Sequence, residues 1–494
     1  MRLIWSNTAF LDEATYLYVG HVELAHWLTG SSVPAYPTYL SGAPVIYPPL
    51  AALANDVGGL AAARILSLCF MLGGTSLLWG MTSRLADRRS AFFAAAIFAA
   101  LGPTQYLGAF ATYDAMALFL MTAAAWCVVA ARDRADSTLL VLAGAALLAL
   151  ANATKYATGL FDPVIIGLAA LSVAAKRGIK PGMGRAGYVA VTSTGILAIL
   201  LAVGGPFYVT GVLSTTLARA TGGSSPLMVL IDAAKWIGPA CLLAALAVAM
   251  VALAHHDRFQ LTTFALLAAA GLLAPVNQAR IHTTTSLSKH VDFGAWFAAA
   301  AAGYLVAHLS RIGQRKAFNA VTAVLATGAV ILPIGYIGRA QAGDFYQVWP
   351  DSSKVTGILR SLTHSHPGNY LAADYDVAAY YLENSIPWER WSDTWYFSYT
   401  RPGTARSIVG PAAFRDAILH HYFRLIILDF GDTAAMDKSI AQDIRKTGDY
   451  HVIAEAPYWD RFGAGQFTIW AYRQSPAPHG RLLNVLRMGR RGDH

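Results

Sequence analysis

Ten apolar runs, most of them near the length of a membrane-crossing helix, are separated by short connections, and only every second connection is basic. A transmembrane helix needs about 20 predominantly apolar residues. The runs lie at about 60–82, 90–106, 115–131, 138–153, 156–175, 187–207, 236–254, 260–277, 291–309 and 320–339. Several are short and rich in Ala and Gly, which suits close helix packing. The basic connections hold Arg84, Arg88 and Arg89; Arg132 and Arg134; Lys176, Arg177, Lys180 and Arg185; Arg258; and Arg311, Arg315 and Lys316. Lys and Arg concentrate in cytoplasmic loops, so these connections are expected in the cytoplasm. The intervening segments, 1–59, 107–114, 154–155, 208–235, 278–290 and everything after 340, then face outward.

Composition agrees. Of the 494 residues, 55% are hydrophobic and 13% charged, where a soluble domain carries about 25% charged residues. That excludes a single water-soluble globule, a disordered chain and a disulfide scaffold. The net charge of +9 sits in the loops, and no basic helix or zinc-like Cys/His spacing points to nucleic acid. Cys69, Cys127 and Cys241 all fall inside apolar runs, so neither a disulfide nor thiol chemistry is expected. No apolar stretch precedes Asp12, so the N-terminus does not read as a signal peptide.

The expected fold is therefore a polytopic α-helical membrane protein of about ten spans with a small C-terminal external α/β domain. Residues 1–59 form a first external loop with interfacial helices, one of them amphipathic through Tyr16, Val19, Leu24 and Trp27. Residues 60–340 form the membrane core. In 341–475, YLAADYD, RLIILDF and FTIWAY read as buried strands and DVAAYYLEN as a helix. The tail 476–494 carries Arg481, Arg487, Arg490 and Arg491 and is expected to be mobile or bound to the membrane surface.

Ionisable residues near a bilayer are costly, and here they gather on the outward side. Asp12 and Glu13 open the first segment, where an Asp is also an ordinary helix cap. Two prolines in Tyr47-Pro48-Pro49-Leu50 read as a stiff turn before the first span. Asp114 lies at the outer end of a span, again with helix capping as the plain explanation. Lys155 occupies a very short outer connection, where snorkelling competes with function. The segment NQARIHTTTSLSKHVDFGAWF adds Arg280, His282, Lys289, His290 and Asp292. Cations at a helix start oppose the macrodipole preference, and a nearby phosphate would offset that cost. Arg64, near the outer end of the first span, adds another cation. Outward carboxylates beside outward cations fit sugar transfer from a lipid phosphate: the acidic side deprotonates a hydroxyl and the basic side stabilises the departing phosphate.

The segments LDEATY, YPPL, AARILSL, TYDAMALFL, TKYATGL and SKHVDFGAWFAAAAAGYL, over about residues 10–310, resemble the GT-C membrane glycosyltransferases. The nearest branch by these motifs is that of the protein O-mannosyltransferases and aminoarabinose transferases. The resemblance implies a polyprenyl-phosphate sugar donor, an inverting displacement and an acceptor hydroxyl on a protein, glycan or lipid. It also implies an active site and C-terminal domain on the outer face of the plasma (inner) membrane. It gives Asp12 the role of catalytic base, with Glu13 beside it and Asp114 as the second acidic position. Lys155, Lys289 and His290, with Arg280 and Arg64, take the donor phosphate. Some relatives need a divalent metal, so Mg²⁺ or Mn²⁺ on Asp12, Glu13 and Asp114 is left open, with no other cofactor expected. A further span is expected before Asp12 and is missing from this chain.

Two other classes remain at this point. A transporter of lipid-linked sugars or small solutes predicts ionisable groups along a path through the spans, where only Asp162 and the Asp232-Lys235 pair stand out. A non-catalytic membrane scaffold predicts that Asp12 and Lys289 matter for stability alone.

Overall fold

In the computed structural model, prolines and short polar caps set most of the helix starts. The structure describes residues 2–34, 40–133, 137–254, 257–311, 325 and 327–473. The chain divides into two compact units, Met1–Pro350 and Asp351–His494.

The first unit is helical. Its helices are α1 (Leu11–Thr29), α2 (Tyr47–Leu85), α3 (Arg88–Ala100), α4 (Gly102–Leu107), α5 (Tyr113–Ala130), α6 (Thr138–Thr154), α7 (Asp162–Arg177), α8 (Ile179–Thr215), α9 (Pro226–Leu253), α10 (Arg258–Arg280) and α11 (Leu287–Leu309), followed by Leu332–Phe345. Pro48 and Pro49 occupy the first turn of α2, where a missing N–H costs nothing, so the pair starts a helix instead of making the expected turn. The break comes later, at Gly58 and Gly59. Gly59 takes φ 65°, so the run expected at 60–82 is the second half of a broken helix. Asp87 caps α3 by accepting from Arg89 N and Ser90 N, and Ser225 caps α9 through Met228 N.

Among the described residues, six helices are long and apolar enough to cross a membrane, and Thr138–Thr154 is a shorter apolar one. The protein is an integral membrane protein. Nine of the ten expected runs coincide with helices; the first part of the tenth, and the basic tail, lie outside the described residues.

The centre of this unit is α11, buried along almost its whole length. Its small residues admit neighbouring backbones: a side chain at Gly303 would meet Ser90 O and Ala94 N, and one at Gly294 would meet Ala270 O. Trp296 donates its indole N–H to Gly74 O at 2.9 Å, tying α11 to α2. By contrast, α8 and α9 expose Ile199, Val203, Phe207, Leu242 and Leu246, an apolar face suited to lipid. Helix α1 packs on its neighbour. Its first half, Glu13 to Gly20, is buried against α2, and Pro48 O lies where a Gly20 side chain would stand.

The second unit is α/β. Its five-stranded sheet has the order β2-β1-β5-β7-β6. The strands are β1 (Asn369–Ala372), β2 (Trp391–Asp393), β5 (Phe423–Leu428), β6 (Tyr450–Asp460) and β7 (Gly463–Tyr472); β3 (Ser398–Thr400) and β4 (Ser407–Val409) form a separate hairpin. Strands β2, β1 and β5 run parallel, whereas β7 and β6 are antiparallel additions. Leu371, Phe414, Phe423, Ile426 and Ile440 form its core. The three predicted strands and the helix Tyr375–Leu382 are all present.

Candidate active site

Because the helices alternate in direction, the start of α5, the end of α6, the end of α10 and the start of α11 meet at one end of the bundle. The basic connections meet at the other. There Arg311 bonds Asp87 at 2.7 Å, Arg89 donates to Ser310 O and Arg185 donates to Ser137.

At the first end, the carboxylates and cations are sorted into pairs. Asp12, in the first turn of α1, holds Lys289 at 2.5 Å. Asp114, in the first turn of α5, holds Lys155 at 2.7 Å and also accepts from Thr112. Lys155 Nζ lies 4.6 Å from the centre of the Tyr113 ring, and Lys289 Nζ lies 5.7 Å from that of Phe110. These faces attract the ammonium groups while excluding water. Asp114 is wholly buried, whereas the Asp12 side chain keeps 30% of its surface. Asp12 is thus the carboxylate that a hydroxyl can approach.

Lys155 is fixed by its backbone. It ends α6 in an extended conformation, and the loop before α2 lies against it: Ala43 N donates to Ala153 O and Tyr156 N donates to Ser41 O. Gly42 is the residue that allows this approach, since a side chain there would overlap Thr154 O.

Glu13 and Arg64 belong elsewhere. Arg64 donates from Nε and Nη2 to the two oxygens of Glu13, at 2.8 and 2.7 Å. Glu13 also accepts from Ala111 N and Phe10 N, while Arg64 also donates to the carbonyls of Ile4, Ser6, Asn7 and Thr8. Both side chains are buried. The sequence pattern places Glu13 with the catalytic acids and Arg64 with the phosphate ligands; the geometry makes them a brace that fixes α1, and with it Asp12.

Next to the pairs is a cavity of about 350 Å³ lined by Tyr156, Arg219, Asn277, Gln278, Arg280 and His290, with apolar walls including Phe161 and Phe293. Gln278 donates its amide to His290 Nδ1 at 2.8 Å, which leaves the ring proton on Nε2 as assigned from this network. Arg280 donates to Asn277. Arg219, Asn277 and Gln278 were not among the residues predicted from sequence. The loop carrying Arg219 is held to the end of α10 by Gly222 N donating to Ile281 O.

Asp292 is buried one turn beyond Lys289, accepting from Thr104 at 2.7 Å through one oxygen while the other has no hydrogen-bond partner among the described residues. The three carboxylates considered for a metal each hold a separate cation, and no group of three His, Cys, Asp or Glu among the described residues is arranged to bind one. A divalent ion at any of them would have to displace that cation. Cys69, Cys127 and Cys241 are free.

No family model and no curated protein matches the sequence. Solved structures do match the fold. The apo ArnT from Cupriavidus metallidurans superposes with a TM-score of 0.58 at 13% identity, covering 94% of each chain. The same protein bound to undecaprenyl phosphate gives 0.55 at 13% identity, over 94% of this chain and 95% of that one. The oligosaccharyltransferase AglB from Archaeoglobus fulgidus, in complex with an inhibitory peptide and a dolichol-phosphate, gives 0.55 at 12% identity, over 94% of this chain and 71% of that one. The chain has the fold of the GT-C membrane glycosyltransferases.

Proposed function

We propose that the protein is a membrane glycosyltransferase that moves a hexosyl or pentosyl group from a polyprenyl-phosphate donor to a hydroxyl on a protein, glycan or lipid. The observation that carries this reading is the Asp12–Lys289 pair, partly open to solvent, beside the Lys155–Asp114 pair and a cavity lined by Arg219, Arg280 and His290. ArnT bound to undecaprenyl phosphate and AglB bound to a dolichol-phosphate support the donor class.

Asp12 accepts the proton of the acceptor hydroxyl as its oxygen attacks the anomeric carbon. The bond from that carbon to the phosphate oxygen breaks on the opposite face, so the centre inverts and the electron pair leaves with the phosphate. Lys289 and Lys155 stabilise the charge that develops there, with His290 and Arg280 holding the phosphate. Lys289 has two roles in this scheme. In the free protein it neutralises Asp12; when the donor binds, its ammonium turns to the phosphate and releases the carboxylate to act as base.

The basic end of the bundle faces the cytoplasm by the positive-inside rule, which turns the site toward the outer face of the plasma (inner) membrane. The test is transfer from radiolabelled polyprenyl-phosphate sugars to a cell-envelope extract by the purified protein in lipid. Transfer by the native chain and none by a folded Asp12→Asn variant is the expected result. Full transfer by that variant overturns the base assignment, and no transfer from any donor overturns the reaction class.

A further inference from the structure

Of the aromatic stretch around Trp388 to Tyr396, the second unit uses only part for its core. Trp391 is buried against Tyr370, with ring centres 5.2 Å apart, whereas Trp395 and Tyr396 are 57% and 72% exposed. They follow the last residue of β2. Two more large aromatic side chains, Trp459 at 75% and Phe462 at 80% exposure, flank the tip of the β6–β7 hairpin. That tip lies at the same end of the sheet. Leu428, the last residue of β5, pairs with Thr468, so the hairpin runs past β5 by the segment from Phe467 to Gly463.

This is also the end where the parallel strands finish. After β1 the chain goes to β2 on one side, and the next parallel strand, β5, lies on the other side of β1. Strand order therefore reverses between β1 and β5, and in open α/β sheets ligands bind in the crevice beyond the carboxyl ends at such a point. Asp374 follows β1, Asp393 ends β2, and Asp429 and Asp432 follow β5. Asp374 lies within electrostatic reach of Asp429, Asp432 and Asp393, and Tyr458 on the hairpin lies within reach of Asp429, Asp460, Asp374 and Asp432. Asp393 accepts from Trp395 N at 3.1 Å. Exposed aromatic side chains and acidic side chains are thus gathered at one end of the sheet.

We infer that this end of the sheet binds a neutral glycan, with Trp395, Tyr396, Trp459 and Phe462 stacking on sugar rings and the aspartates there accepting from sugar hydroxyls. This deepens the proposed function, on which its biological meaning rests: the acceptor class it names is a polysaccharide or oligosaccharide rather than a polypeptide or lipid. Four large aromatic side chains turned to solvent on a unit that has its own filled core mark an interaction surface. The flat faces of Trp and Tyr suit a partner that is apolar on one side and polar at its edge. The carboxylates are acceptors that match hydroxyl donors. An anionic lipid surface would meet them unfavourably. A basic segment would need a set of fully open carboxylates, whereas Asp374, Asp393 and Asp429 are only half-exposed. Glycan held on the same chain would raise its local concentration for transfer.

The test uses the full-length protein in lipid, without donor, and measures retention of soluble mannan, arabinan and galactan fragments at low and high salt. Binding of at least one, insensitive to salt and weakened roughly tenfold or more by Trp395→Ala and by Trp459→Ala, is the expected result. Hydrogen exchange in β1 and β5 should be unchanged in both variants, which separates loss of the surface from loss of the fold. Absence of glycan binding, or binding that survives both substitutions, overturns the inference. Selective, salt-sensitive binding of a basic peptide overturns it in favour of a polypeptide partner. Binding is measured without donor and transfer with it, so failure here does not bear on the reaction class, which the transfer assay decides by itself.

Discussion

Arg64 holds both carboxylate oxygens of Glu13, at 2.8 and 2.7 Å, across 51 residues of sequence and with both side chains buried. Removing one partner of such a pair leaves an uncompensated charge, which costs about 3–5 kcal/mol. Glu13→Ala and Arg64→Ala should each lower the unfolding temperature of the detergent-solubilised protein markedly, and the double variant should cost less than the sum of the two. Additive losses would mean that the pair does not act as a unit.

Asp12→Asn should behave differently. The carboxylate is partly exposed and its amide oxygen can still accept from the buried Lys289, so the unfolding temperature should fall less than in Glu13→Ala while transfer falls roughly 10²- to 10⁴-fold, the range for loss of a general base. A fall in stability matching that of Glu13→Ala would assign Asp12 to the brace instead.

Lys289→Ala tests the dual role proposed for that ammonium. Loss of a charged hydrogen bond to phosphate costs about 1.5–3 kcal/mol, so KM for the donor should rise roughly tenfold or more. KM for the acceptor should change little. Equal changes in both would fit a lysine that only holds α1 against α11.

Much of this arrangement was legible in the sequence, for reasons that also mark where reading stops. Helix directions follow from run lengths and the alternation of basic loops, and those directions bring Asp12, Asp114, Lys155, Lys289 and His290 to one end of the bundle. The division of labour between Asp12 and Glu13 was not legible. Successive helix residues point about 100° apart, so adjacent acids face different neighbours, and nothing local says which one meets Arg64. Arg219 and Gln278 were hidden for a similar reason. One sits in a polar loop and the other at the end of an apolar run, and only the packing of α10 on α11 and of the outer loop on the end of α10 brings them to one cavity. Strands of three residues such as β2, β3 and β4 are too short to show a period.

Chelation tests the charge pairing directly. Asp12 and Asp114 already carry ammonium partners at 2.5 and 2.7 Å, and a divalent ion would have to displace them and leave Lys155 buried without its anion. Transfer should therefore persist after EDTA treatment and dialysis. Loss of activity restored by Mg²⁺ or Mn²⁺ would show that the lysines yield to a metal when substrates bind.

The second unit should respond to pH in its own way. Asp374 is pushed up to about 7 by burial and by Asp429 and Asp432; burial pushes Asp393 and Asp437 up to about 6. Their ordinary value is 3.8, so between about pH 4 and 7 the folded unit holds protons that the unfolded chain has released. Stability must then fall as pH rises through that window and level off above it. Hydrogen exchange of β1 and β5 in the full chain, corrected for the intrinsic rate, should report more protection at pH 5 than at pH 8. Asp374→Asn, which stays neutral throughout, should remove part of that slope. A flat profile in the native chain would mean that these carboxylates titrate as they do in water.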